Sequence, residues 1–241
     1  MFLVLILLLS QTLSALANTE KAIFLGPSPL HVPIEHPTLE DLHLDVLTPV
    51  NYSLRTHIQA EFPTGSSRYG QSTWLLLHGL QERQRYEVRI CWAATQPTSF
   101  RLDTYELPTV FETPDLITSL AKYSETRQPT WRDFEDEKPS ISTAGIESTI
   151  AFEDPSSILF LHVQAAADYY TMNKTLMEQV PPVFVDIILD PFVFNVFPRS
   201  LIPTAVYILV LAVGSWVLSK HISRWLTGIA NHKTDSGKKT R

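Results

Sequence analysis

The chain has 241 residues, a formal net charge of −6, 44 % hydrophobic residues and a single cysteine, Cys91. The acidic balance excludes a phosphate-backbone binder, which needs the opposite sign, so nucleic acid is not an expected partner. One thiol cannot close an intramolecular disulfide, so a core and not a disulfide framework must hold any folded domain.

Residues Phe2 to Leu9 form an almost unbroken apolar run, followed by Ser10, Gln11, Thr12 and then Ala15-Leu16-Ala17. An apolar stretch with small residues at minus three and minus one is the signal-peptidase pattern. It predicts a signal peptide over 1–17, cut between Ala17 and Asn18. The run is shorter than the ~20 residues a spanning helix needs.

From Lys21 to about Leu107 the apolar residues recur with a period of two. Leu54, Thr56, Ile58, Ala60 and Phe62 share one face, and Tyr86, Val88 and Ile90 alternate with Glu87, Arg89 and Cys91. Such alternation predicts strands with one buried face. The turns Thr48-Pro49, Pro63 to Ser67 and Gln96-Pro97 separate them. Short strands at this spacing predict a mainly β, antiparallel sandwich-like domain with a few short helices. Leu80, six residues ahead of Tyr86, resembles the E–F corner of fibronectin type III domains, where a tyrosine bonds upstream backbone. Cys91, inside a strand-like run, is expected as a small buried hydrophobe.

Pro114 to Ser124 predicts a short helix with Leu116, Leu120 and Tyr123 on one face. Residues 125–148 are polar and carry Asp133, Glu135, Asp136 and Glu137. They read as an acidic flexible insertion, without the carboxylate spacing of a calcium loop. Ser157 to Gln164 predicts a strand, and Ala165 to Val180 a helix. Val183 to Phe197 is strongly apolar but holds Asp186, Asp190 and Pro191. Each carboxylate at a bilayer centre costs ~2.5–3.5 kcal/mol, which disfavours a membrane span there. A strand pair packed at the membrane surface is expected instead, with Phe192, Phe194 and Phe197 at headgroup level. Asp186 and Asp190 are then candidates for contact with a membrane partner.

Residues 200–219 carry no charge and lie between Arg199 and Lys220. Twenty residues at 1.5 Å each cover ~30 Å, the hydrocarbon thickness, so a transmembrane helix is predicted there. Residues 220–241 hold six basic residues against Asp235, which leaves the remainder near about −11. The positive-inside rule puts this tail in the cytosol and residues 18–199 in the lumen, a single-pass type I arrangement in contact with the lipid bilayer. Lys238 and Lys239 match a di-lysine retrieval signal of endoplasmic-reticulum proteins, read by the COPI coat. Asn51-Tyr52-Ser53 and Asn173-Lys174-Thr175 are N-glycosylation sequons in the luminal part.

Catalytic constellations are not found: there is no nucleophile elbow, zinc-binding helix, phosphate loop or paired-cysteine motif. His31 and His36 flank a proline-broken segment and are expected as structural or surface histidines. No catalytic residue, cofactor or metal ligand is assigned.

Asn18-Thr19-Glu20 after the predicted signal, Glu87-Val88-Arg89-Ile90-Cys91-Trp92 and Thr109-Val110-Phe111-Glu112-Thr113-Pro114 resemble a fungal family, the GPI-mannosyltransferase II co-activators. The resemblance implies a non-catalytic partner of the polytopic endoplasmic-reticulum mannosyltransferase that adds the second mannose of the GPI precursor, using dolichol-phosphate mannose on the luminal side. A cargo receptor of the early secretory pathway, or another endoplasmic-reticulum membrane accessory protein, is the alternative reading. Receptors of that kind carry a luminal heptad stretch and a cysteine pair, whereas this chain has Pro181, Pro182 and Pro191 and one cysteine.

Overall fold

The computed structural model describes residues 17–30, 38–65, 67–128 and 157–236. The predicted signal peptide before Ala17, most of the acidic insertion, His31, His36, Lys238 and Lys239 lie outside the described residues. The chain divides into two units, one ending at Asn195 and the other running from Val196.

The first unit is a two-sheet β structure. One sheet has the order β1 (Ala17–Leu25), β5 (Arg85–Ala93), β8 (Val183–Val193), β3 (Ser53–Ile58), and these neighbours are antiparallel. The other has the order β2 (Asp45–Leu47), β4 (Gln71–Leu80), β7 (Ser157–Ala167), β6 (Thr98–Glu106). The antiparallel expectation needs one correction: β2 runs parallel to β4. Three residues are too few to show a pairing direction in sequence.

Alternation explains the central core. Tyr86, Val88, Ile90 and Trp92 of β5 and Val183, Val185, Ile187 and Leu189 of β8 face Leu75, Leu77, Leu161 and Val163 of the other sheet. A second cluster lies on the far side of that sheet, where Trp74, Leu76, Ile158 and Phe160 meet α1 (Leu107–Glu112) and α2 (Pro114–Glu125). Strand β7 is therefore covered on both faces, and only Gln164 is partly exposed. That is why its sequence is apolar at successive positions, apart from Ser157, His162 and Gln164, and not alternating. Thr113 is extended between the two helices, as a residue before proline prefers. The predicted helix is present, and Leu120 is its buried anchor.

The helix expected over Ala165 to Val180 is mostly absent. Ala165, Ala166 and Ala167 continue β7, and only α3 (Lys174–Glu178) is helical. Alanine's helix propensity, a few tenths of a kcal/mol, loses to ladder pairing, all three with β6 and Ala165 with β4 as well. Of the strand pair expected over Val183 to Phe197, β8 runs unbroken to Val193 and the second strand is short, β9 (Phe197–Pro198). Pro191 is tolerated near the end of β8, opposite Tyr86.

The corner between β4 and β5 carries the chain from one sheet to the other. Tyr86 is buried, and its hydroxyl accepts the Gln81 N–H at 2.9 Å, the upstream backbone bond expected of such a corner. Gly26 packs against the same turn, where a Cβ would fall 2.0 Å from the Gln81 carbonyl oxygen. Tyr86→Phe leaves the Gln81 N–H without its acceptor and is expected to cost ~1–3 kcal/mol. Chemical denaturation of the purified chain in detergent measures it; an unchanged midpoint would remove the corner from the account.

The second unit contains α4 (Ile202–Ser236). Arg199–Thr227 is long and apolar enough to cross a membrane, and none of its most apolar window is buried by protein. The helix extends beyond the twenty residues expected, since Lys220 and Arg224 continue it without a breaker. The Lys220 ammonium sits 3.8 Å from the Trp216 ring centroid, a pairing suited to an interface.

Candidate interaction surface

The outer face of the β1-β5-β8-β3 sheet follows from the same alternation that builds the core. Residues one step from the buried apolar set point outward, and register aligns them in three rows. Thr19, Cys91, Asp186 and Arg55 form the first. Lys21, Arg89, Ile188 and Ser53 form the second, and Ile23, Glu87 and Asp190 the third. A cationic pair thus lies between rows that hold the carboxylates.

Glu87 and Asp190 are directly opposite on adjacent strands, 4 % and 5 % exposed. Like charges at that spacing destabilise a sheet unless cations neutralise them. Lys21 Nζ reaches Glu87 Oε2 at 3.2 Å, and Arg89 Nη1 reaches Glu87 Oε1 at 3.6 Å. Both cations come from the middle row, diagonal to the acid. Lys21 is the exposed partner, so the row presents positive charge above buried negative charge.

Arg55 donates to both Asp186 oxygens, at 2.7 and 3.2 Å, in a fork geometry. That hydrogen bonding holds the Asp186 carboxyl below its ordinary range, and the carboxylate raises the Arg55 pKa in turn. The pair is exposed, so its value for folding is small. The Arg55 guanidinium also lies 5.8 Å from the Phe184 ring centroid, and His57 contacts the same ring. Phe184 is 43 % exposed.

Of the two carboxylates singled out in the sequence, Asp186 is at the surface in an ion pair and Asp190 is buried. Both are on one face of one strand. Lys21, Arg55, Glu87 and Arg89 were not singled out, because only strand register brings them to the aspartates. Cys91 differs from expectation: it is partly exposed on this outer face, and its sulfur accepts from the Thr19 hydroxyl at 3.5 Å. Its neighbours Ile90 and Trp92 take the core positions.

A cleft of about 200 Å³ opens between the sheets beside β3, with Thr56, His57, Gln71, Ser72 and Tyr123 among its walls. Arg127 closes one side, donating to the His43 carbonyl at 2.6 Å, to Asp45 at 3.0 Å and to the Tyr123 hydroxyl at 3.3 Å. Its charge is spent on tying the end of α2 to β2. Burial raises the Tyr123 pKa.

Both sequon asparagines are exposed. Asn51 is in a turn where its N–H bonds the Thr48 hydroxyl. The Asn173 side chain caps α3 by accepting the Thr175 N–H at 3.1 Å. Among the described residues, no group of three or more His, Cys, Asp or Glu is placed to hold a metal ion. The chemistry available on the outer face is charge pairing and apolar contact.

Comparison with known proteins gives one match. Residues 8–124, just under half of the chain, match the Pga1 family model, described as GPI-Mannosyltransferase II co-activator. The resemblance read from the sequence holds over that range. The matched range takes in β1 to β6, α1 and all but the last residue of α2, and with them Lys21, Arg55, Glu87 and Arg89. No curated protein and no solved structure matches.

Proposed function

From the co-activator family that residues 8–124 match, we propose that this chain is a membrane-anchored accessory subunit of the mannosyltransferase that adds the second mannose in GPI-anchor assembly. That match is the observation that carries the reading. The family implies action at the endoplasmic-reticulum membrane, and α4 fits a single pass through it. On this reading residues 18–199 are luminal, 200–219 span the bilayer and 220–241 are cytosolic. Asn51 and Asn173 then face the glycosylation machinery, and an endoglycosidase shift on a gel reports their use.

Activation without a catalytic group of its own works through differential binding. A subunit that binds the active conformation of the enzyme better than its alternatives raises the population of that conformation. We place the contact on the outer face of the first sheet, where Arg55, Asp186, Lys21 and Arg89 offer fixed charges beside the exposed Phe184. Complementary charges set register and partner choice more than raw affinity.

Charge reversal tests this placement. Asp186→Arg breaks the exposed pair with Arg55 at little cost to the fold, as exposed pairs contribute little. It is expected to reduce co-purification of a multi-span mannosyltransferase with the tagged chain by ~10-fold or more. Adding Arg55→Asp restores the internal pair with its polarity swapped. Recovery of co-purification in that double variant would show that the pair acts on the fold alone, and would move the contact elsewhere.

A further inference from the structure

One end of the first unit combines features that a water-facing turn does not need. Among the described residues, four non-glycine positions have left-handed backbone, and three of them, Arg83, Phe194 and Asn195, are in two adjoining turns at this end. Phenylalanine is a rare occupant of that region, because its Cβ crowds the backbone. Surrounding contacts hold it there. The Asn195 side chain accepts the Arg85 N–H at 2.8 Å and donates to the Arg83 carbonyl at 3.1 Å. Gln84 donates to the Phe192 carbonyl at 3.2 Å.

The consequence is a sorted pair of rings. Phe192 is 7 % exposed, with the Arg85 guanidinium 5.8 Å from its centroid, whereas Phe194 is 90 % exposed. Leu25, cross-strand from Arg85, is 57 % exposed, and the Arg83 side chain is almost fully so. Fixed apolar side chains beside arginines match the headgroup layer, where rings reach the acyl boundary and guanidinium groups reach the phosphates. Chain length supplies the second argument. Arg199, where the apolar helix segment begins, is four positions beyond Asn195 along the chain. Extended chain covers at most ~3.6 Å per residue, so this end lies within ~14 Å of the start of the span.

We propose that Phe194 and Leu25, with Arg83 and Arg85, dock into the headgroup layer of the bilayer that α4 crosses and hold the domain against it. The turn is built to present Phe194 to lipid. The sequence alone placed three phenylalanines at that level; the fold withdraws Phe192 and gives the role to Phe194.

The test uses the full chain in phosphatidylcholine nanodiscs, with Cys91→Ser removing the native thiol. Phe194→Cys carries an environment-sensitive fluorophore. Tyr170→Cys is the control, since Tyr170 is 82 % exposed and follows β7 at the opposite end of the sheets. The label at position 194 is expected to emit to the blue of the label at 170, and to lose emission when headgroup-proximal spin-labelled lipid is included. Leu25→Cys reads the same surface without touching the turn, should the 194 variant misfold. Emission and quenching at 194 and 25 equal to those at 170 would overturn the proposal. A chain that fails to co-migrate with the discs would overturn the spanning helix on which it rests.

Discussion

Trp74→Ala is expected to destabilise the domain by ~3–5 kcal/mol, a large share of the ~5–15 kcal/mol that holds a typical domain. Trp74 is fully buried on the helix-facing side of β4 and joins three elements. Its ring meets Phe160 of β7 edge-on at 6.1 Å and stacks on His162 at 4.3 Å. Its Nε1–H donates to the Ser119 hydroxyl of α2 at 3.1 Å. Truncation leaves a void bordered by two rings and removes the polar tie to the helix. Ser119→Ala deletes the hydrogen bond alone and is expected to cost ~0.5–1.5 kcal/mol net, though the orphaned indole N–H pushes toward the upper end. Denaturation midpoints of the two variants separate packing from hydrogen bonding. A Trp74→Ala loss no larger than that of Ser119→Ala would mean that the helical layer is not anchored through this ring.

Acidification gives the second large effect, through His162. The imidazole is 5 % exposed, stacked between strands against Trp74, with Nε2 2.9 Å from the Ser72 hydroxyl. Among the described residues, its Nδ1 is buried without a hydrogen-bond partner. From β6, Asp103 is cross-strand to it and Tyr105 is 6.3 Å away. Burial depresses its pKa to about 4; Asp103 opposes that shift and Arg101 adds to it. The folded pKa lies below the unfolded value of ~6.5, so between those limits the unfolded chain takes up a proton that the folded chain refuses. Stability from this residue is complete above ~6.5 and is lost as pH falls toward 4, by an amount on the order of 3 kcal/mol. His162→Phe keeps the stack and removes the titration. Its melting temperature should fall less than that of the parent chain between pH 7 and pH 4.5. Equal falls would assign the acid sensitivity to other groups.

These two residues show what the sequence made legible and what it hid. Alternation along β3, β5 and β6 was readable because each strand has one wet face. The Tyr86 corner was readable because the tyrosine and its bonding partner are five residues apart. β7 was readable as apolar but not as doubly covered: His162 interrupts the run, and only the helices packed above it make it buried. The alanines at its end read as helix because nothing local reveals the strands they pair with. The charged rows of the outer face were least legible of all. Asp186 and Arg55 are 131 residues apart, and Lys21 and Glu87 are 66 apart. Such pairs exist only once the strand order and register are set.

The surface carries the function proposed here only if a partner enzyme depends on it. The most direct measurement is transfer of the second mannose onto a GPI precursor carrying one mannose, in endoplasmic-reticulum membranes depleted of this chain and again after its restoration. The account predicts that the one-mannose precursor accumulates on depletion, and that the full chain restores transfer while its Asp186→Arg variant does not. Undiminished second-mannose transfer in the depleted membranes would contradict it.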